Sequence, residues 1–352
     1  MEKNVRLVDI ARAAGVSQGT ASNVFNRPHL VRAEVRERVE AAAQAMGYRG
    51  PDPRGKMLRA GRVNAIGVAT SEPLPYFFAD PFACALMTGI AEACDAHGAG
   101  LALVSAMNDE RLAWNIQSAL VDGFILLCID EGERLVALTR ERQLPFVALH
   151  LGQDDETMSA IGIDNAAGAK LAARHLTELG HRRFAILSLP FSDERYGIML
   201  PGELRSAVYT TSRDRALGYL AALAEAGIEA RRVPIYETQN EPESIRAGLE
   251  VLFDGPEPPT ALLAMSDRIA LEALAWLRRR GIAVPGAVSV IGFDGVPAGE
   301  TSDPPLTTIA QPIAEIGRRA VDMILDHDGA PERETLAVTL ARRGSTGPPP
   351  AW

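Results

Sequence analysis

"VDIARAAGVSQGTASNVFN", residues 8–26, places two apolar-periodic segments on either side of a glycine turn. Apolar residues at Leu7, Ile10, Ala11 and Ala14 recur at helical spacing and stop at Gly15, so the spacing predicts a helix over 7–14. A second helix is expected over 18–25, with Ser17 placed so that its hydroxyl accepts from the free amides of the first turn. A third runs over 33–46 and ends at Gly47. Helix, turn, helix and a buttressing third helix make a helix-turn-helix unit, whose second helix enters the major groove by its N-terminal residues. Gln18, Gly19 and Asn23 then face the base edges, where Gln and Asn pair bidentately with adenine. Ser17, Thr20, Ser22 and Asn26 reach phosphate oxygens and fix the register. Small three-helix bundles share this pattern, and charge decides between them. Residues 1–62 hold twelve Lys or Arg against six Asp or Glu, giving +6, which leaves −15 on the remainder of a chain whose formal total is −9. A basic head on an acidic body is the electrostatic form of a nucleic-acid reader joined to something else.

A chain of 352 residues exceeds the usual single domain. No run of about 18 apolar residues occurs, and Met1 to Arg12 is amphipathic rather than basic-then-apolar, so a cytoplasmic protein is expected. Cys84, Cys94 and Cys128 lack CxxC spacing and read as buried thiols. The histidines at 29, 97, 150, 175, 181 and 327 have no metal-ligand spacing, and His175 and His181 read as structural residues at a helix end. No GxSxG, HExxH, P-loop or GxGxxG motif follows a strand-like run, so neither an enzyme nor a cofactor or metal is expected.

"RGPDPRGKMLRAGR", residues 49–62, reads as a linker. Beyond it, near-continuous apolar runs at 64–70, 100–105, 123–128, 145–150, 183–188, 260–265 and 288–293 alternate with helix-period segments. That alternation means an α/β body of doubly wound parallel sheets covered on both faces, with the main crossing between two such units near Ile163 to Asn165. Pro190 to Arg213 reads as a long loop or lid, and "LRRRG" at 277–281 as a charged helix C-terminus before a glycine stop. Ligands of open α/β sheets bind beyond the carboxyl ends of the strands. Here those ends are Ala69, Leu149, Met265 and Phe293, which picks out Thr70, Ser71, His150, Ser266, Asp267 and Asp294. Asp267 is equally placed to cap the helix that starts there. The set suits a polyol, whose adjacent hydroxyls pair with charged groups, with Tyr76, Phe77, Phe78 or Phe82 covering an apolar sugar face.

The opening stretch, "VRAEVRERVEAAAQAMGY" and "GRVNAIGVAT" together resemble the lactose-repressor family of bacterial transcription regulators. The resemblance continues through "IDNAAGAKLAARHLTELGHRRFAIL" (163–187), "RALGYLAAL" (215–223), "MSDRIALEALAWLRRRGIAVPGAVSVIGFDG" (265–295) and "DPPLTTIAQP" (303–312). It implies a helix-turn-helix domain over 1–49, a hinge over 50–62 that folds into a minor-groove helix on operator, and an effector-binding and dimerisation domain over 63–343. The last would be shaped like periplasmic sugar-binding proteins. Its N-subdomain would take about 63–163 plus 311–329, its C-subdomain about 164–310 plus 330–343, and residues 344–352 would form a disordered tail. The resemblance adds Arg215, from "RALG", and Gln311 to the effector set. It implies a homodimer reading palindromic double-stranded DNA and controlled by a small molecule, most simply as a repressor answering to a sugar. A purine or other non-sugar corepressor is the alternative. A solute-binding protein would share the body but carry an export signal in place of the basic head. No heptad pattern follows Arg343, which favours a dimer.

Two departures from the family pattern matter. The usual "TVSR" is Thr20-Ala21-Ser22-Asn23, so a short amide stands where an arginine is expected. The linker segment Tyr48-Arg49-Gly50-Pro51-Asp52 is one residue longer than the usual "Y-x-P-N". With Gly50 as the insertion, Gly55 replaces a helix-favouring alanine, next to Lys56, and Leu58 takes the place of the side chain that wedges between bases. A mid-helix glycine costs about 1 kcal/mol against alanine. The hinge should therefore form less readily away from DNA: amides of 53–60 are expected to exchange without protection in the free protein, and protection there would contradict this.

Overall fold

Gly15 turns the chain in the left-handed region at φ 66°, where a side chain would be strained. The computed structural model describes residues 5–50, 62–107, 109–127, 133–149, 155–192 and 196–351. The chain divides into two compact units, Met1–Val63 and Asn64–Trp352. In the first, the turn at Gly15 joins α1 (Leu7–Ala13) to α2 (Gln18–Asn26), and α3 (Ala33–Ala45) packs beneath both. Each helix lies within about a residue of the span its periodicity predicts. Ile10, Ala11, Ala21, Val24, Val39 and Ala43 form the core, and the edge of one ring meets the face of the other between Phe25 and Tyr48, centroids 5.6 Å apart. Several of these core residues are alanines, which let three short helices approach closely.

The second unit holds two sheets. The first, in the order β12-β5-β4-β3-β1-β2, is parallel throughout. Its strands are β1 (Ala65–Thr70), β2 (Gly100–Ser105), β3 (Gly123–Leu127), β4 (Phe146–Leu149), β5 (Ser159–Ile163) and β12 (Arg333–Leu336). With it go α4 (Tyr76–Ala79), α5 (Pro81–His97), α6 (Asp109–Ser118), α7 (Glu133–Glu141) and α13 (Ile313–Leu325). Helices α5 and α13 touch along their backbones: a Cβ on Gly89 would run into the Ala314 carbonyl.

The second sheet has the order β13-β11-β10-β9-β6-β8-β7, and its two outer strands, β13 and β7, run antiparallel to their neighbours. It comprises β6 (Phe184–Ser188), β7 (Gly197–Met199), β8 (Ile235–Glu237), β9 (Ala261–Ala264), β10 (Ser289–Asp294), β11 (Thr307–Ala310) and β13 (Thr339–Ala341). Its helices are α8 (Asn165–Glu178), α9 (Thr210–Glu225), α10 (Pro242–Phe253), α11 (Asp267–Arg279) and α12 (Pro297–Glu300). The apolar runs are these strands because both faces are covered; every residue of β3, β5, β6, β9 and β10 is buried.

The chain passes between the sheets three times: from Ile163 to Asn165, from Ala310 to Ile313, and from Leu336 to Thr339. The third passage corrects the subdomain expected over 330–343, because β12 pairs with β5 in the first sheet and only β13 returns to the second. The tail expected to be disordered is also corrected. Ser345 is fully buried and its hydroxyl donates to the Val290 carbonyl at 2.6 Å, while Thr346 bonds His175 and the Gly347 carbonyl sits 2.9 Å from His181. These residues satisfy polar groups on the second sheet that would otherwise be buried without partners. Both histidines are structural, and burial lowers both below the usual imidazole range. The 190–213 segment is not a loose loop: Phe191, Met199 and Leu204 are buried and β7 pairs with β8. Cys94 is buried and Cys84 partly so, whereas Cys128 lies outside the described residues. No described helix is long and apolar enough to cross a membrane.

Candidate functional site

Ser17 starts α2 by accepting from the Thr20 amide at 3.0 Å, and its hydroxyl also meets the Thr20 hydroxyl at 2.8 Å. That cap orients the first turn. Gln18, Gly19 and Asn23 are exposed on the helix, while Ala21 and Val24 face the core. Asn26 donates back to the Ser22 carbonyl and hydroxyl at 3.1 and 3.2 Å. Arg6, Arg12, Arg27 and Arg32 are exposed in the same unit. Gly15 to Gly19 spells the letters of a hydrolase nucleophile motif, but here they form a turn between helices with Ser17 as a cap. The hinge residues Gly55, Lys56 and Leu58 lie outside the described residues.

In the second unit the sheet orders fix where a cleft can open. β1 lies between β2 and β3, and β6 between β8 and β9, so successive connections leave on opposite sides at these points. On the second sheet, Arg215 of α9 is buried at this place. Its Nε donates to Asn165 Oδ1 at 2.9 Å, its Nη1 donates to the Met265 carbonyl, and its guanidinium stacks 3.7 Å above the Phe293 ring. Asp294 Oδ1 stands 3.5 Å from Arg215 Nη1 and accepts from Gln311 Nε2 at 2.8 Å. Asp294 Oδ2 lies 3.3 Å from the Asp267 amide. Asp294 has φ 128°, a backbone region that favours glycine, and its own carbonyl accepts from the Gln311 amide at 2.9 Å. Burial pushes its carboxyl well above the usual carboxylate range, against the pull of Arg215.

Arg215, Asp294, Gln311, Ser266 and Asp267 therefore come together, but two have tasks other than those expected. The cap of α11 is Ser266, whose hydroxyl accepts from the Ile269 amide at 3.1 Å, and not Asp267. Asp267 is fully buried and its oxygens are committed: Oδ2 accepts from the Gly295 and Val296 amides at 2.7 and 2.8 Å, and Oδ1 from the Thr308 hydroxyl at 2.5 Å. It braces the turn after β10.

On the first sheet, Thr70 is fully buried and its hydroxyl accepts from the Glu72 amide at 3.0 Å, while Ser71 is exposed. Phe77 belongs to the core, where it cannot cover a sugar, and Phe78 is 75% exposed. Tyr76 is half-buried, and Phe82 lines a narrow apolar hollow with Leu149, Ile163 and Gln311. His150 lies outside the described residues. Sequence reasoning missed Asn165, Asn240 and Arg268, and also Asp80. Asp80 caps α5 through Oδ1, with the Phe82 amide at 2.9 Å and the Ala83 amide at 3.2 Å. An Asp before a proline at the start of an apolar-periodic run was a readable signal for that cap.

A basic helix-turn-helix unit followed by a body of two sheets, between which the chain passes three times, defines a ligand-responsive DNA-binding regulator. Residues 6–50 match the family described as bacterial regulatory proteins, lacI family, and residues 173–346 match a periplasmic binding protein-like domain. The chain is 35% identical over 354 residues to HTH-type transcriptional regulator Rv3575c of Mycobacterium tuberculosis, covering 99% of this chain and 98% of that protein. It is 31% identical to HTH-type transcriptional repressor PurR of Erwinia tasmaniensis over 97% of each. Among solved structures it is similar to the lac repressor dimer bound to operator and the anti-inducer ONPF, with a TM-score of 0.76, 26% identity, and 98% and 100% of the two chains covered. It is also similar to the transcriptional regulator CelR in complex with cellobiose, with a TM-score of 0.69, 30% identity and 97% and 99% covered. The chain belongs to the lacI family of bacterial regulatory proteins.

Asp267 supplies a test of the turn after β10. Asp267→Ala leaves two buried amides and a hydroxyl without their acceptor, and each such group costs about 1–3 kcal/mol. A clear loss of stability in denaturant unfolding is expected. Asp267→Asn, which can accept from both amides and donate to Thr308, should recover most of it. Burial pushes the Asp267 carboxyl up to about 6, against an unfolded value of about 3.9. The folded chain therefore binds this proton first. The resulting stabilisation is present below about pH 4 and lost as the pH rises through about 6. Asp267→Asn should flatten that part of the stability profile; an unchanged profile would contradict the assignment.

Proposed function

We propose that this regulator represses transcription in the cytoplasm as a homodimer on a palindromic operator, with operator affinity set by a sugar or related polyol held in the cleft. The observation that carries the effector reading is the Arg215–Asp294 pair with Gln311, a charged, hydrogen-bonding set buried where the strands of the second sheet end. Such a set matches the adjacent hydroxyls of a polyol by charge-assisted bonds. The likeness to the cellobiose complex supports a sugar, and a purine or other non-sugar corepressor is the competing ligand. Thr70, Ser71, Tyr76 and Phe82 belong to the opposite wall in this reading.

DNA reading falls to Gln18, Gly19 and Asn23, with Ser17, Thr20, Ser22 and Asn26 on the phosphates, and the exposed polar start of α2 supports it. An apolar patch supports the homodimer: Leu101 on β2, with Met107, Trp114 and Leu120 on and around α6, is exposed at the open edge of the first sheet. A second copy of the chain is the occupant that covers it. A ligand that favours one arrangement of the two lobes shifts operator affinity by about 5- to 150-fold for a typical coupling of about 1–3 kcal/mol.

Thermal-shift screening of the full chain against sugars, polyols and nucleobases tests the effector. Stabilisation by a sugar or polyol is expected, and stabilisation by nucleobases alone would overturn it. For DNA, Asn23→Ala should relax base preference in operator competition while leaving the salt dependence nearly unchanged. A uniform loss across all sequences with a shallower salt slope would instead make Asn23 a phosphate contact.

A further inference from the structure

Asp80 does more than cap a helix. Its Oδ1 accepts from the Phe82 and Ala83 amides, but Oδ2 faces the other lobe, where it meets Asn240 Nδ2 and Arg268 Nη1, each at 3.5 Å. Asp80 is 3% exposed and sits on the first lobe; Asn240 follows β8 and Arg268 lies in α11, both on the second. The two partners are themselves placed. Ser266, the cap of α11, donates to Asn240 Oδ1 at 3.3 Å, and Arg268 Nη2 donates to Glu241 Oε2 at 2.7 Å. One carboxylate thus joins the start of α5 to the start of α11, directly beside the predicted effector set.

We propose that Asp80 is a positioning residue of the cleft: its carboxylate draws Asn240 and Arg268 of the second lobe to the first and so sets how far apart the two walls stand. An effector selected by this cleft has to fit the spacing that the Asp80 contacts set and to present hydrogen-bond donors to Asp294, which favours a ligand with hydroxyls on that edge. Asp80 is near enough to Asp294 to raise the carboxyl of the latter, in keeping with the two walls facing each other. The ligand half of this inference rests on the effector reading above; the lobe-spacing half does not.

The test separates the cap from the latch. Asparagine is as good an N-cap as aspartate, so Asp80→Asn keeps the start of α5 and removes the charge that faces Arg268. Pairs of spin labels at Glu141 and Glu250, exposed residues on the first and second lobes, report lobe separation by electron–electron double resonance. The full chain is used with its three cysteines replaced, diluted with unlabelled protein so that distances within one chain are read. Asp80→Asn and Arg268→Gln should each shift the distances to longer values, the double variant should shift them no further, and Arg268→Lys should restore part of the change. Amide exchange at Phe82 and Ala83 should stay protected in Asp80→Asn and be lost in Asp80→Ala. Unchanged distances in both single variants, or shifts that add in the double variant, would overturn the proposal. The readout needs neither effector nor operator, so a negative result here leaves the ligand screen to stand on its own.

Discussion

The body is organised around a guanidinium that water does not reach. Arg215 is held from four directions: by the Asn165 amide oxygen, the Met265 carbonyl, the Asp294 carboxylate and the face of Phe293. Those groups come from the start of α8, the residue after β9 and the end of β10. Gln311, bonded to the same Asp294, brings in the second passage between the lobes. A buried ion pair is weak support for net stability, because desolvation opposes it, but removing one partner leaves an uncompensated charge and costs about 3–5 kcal/mol. The strained φ of Asp294 has the same source. An extended-strand residue at that point would aim its carboxylate elsewhere, and the surrounding bonds hold the less favourable backbone in place.

The reader domain works from different physics. Its core is small and alanine-rich, and Gly15, the Ser17 cap and the Phe25–Tyr48 contact add to what that core holds. Its positive charge stands against −15 on the body, which favours contact with DNA through the head and disfavours it elsewhere. With Gly19 and Asn23 exposed on α2, that helix presents few long side chains, and Gln18 is the longest polar one at its start.

Much of this was legible in the chain. The seven apolar runs are strands, because a parallel strand covered on both faces must be apolar nearly throughout. The helices of the head follow their periodicity to within about a residue. What escaped was mostly polar or short, except β5, "SAIGI", which is five residues long and wholly buried. β12, "RETL", is an edge strand half open to solvent and carries two charges, so no apolar pattern marks it. β8 has three residues. The tail has the composition of a disordered segment, yet Ser345 is buried against Val290 and Thr307 and Thr346 is a partner of buried His175, long-range contacts that no local window shows. At the site, Arg215, Asp294 and Gln311 were legible from strand ends and family pattern. Asp267 has a structural role, but as the brace of the turn after β10 and not as the cap of α11, because strand-end position does not reveal that the following turn uses its oxygens. Asp80 was passed over because its cross-cleft role exists only once the lobes are assembled.

The central claim, that the buried set at the strand ends governs what the head does on DNA, has one direct measurement. Palindromic sites recovered by the full chain from random DNA would be titrated by fluorescence anisotropy, with and without the ligand that stabilises the chain. The account predicts a change in operator affinity of about 5- to 150-fold when the ligand is bound. An operator affinity that stays the same while the ligand demonstrably occupies the protein would contradict it.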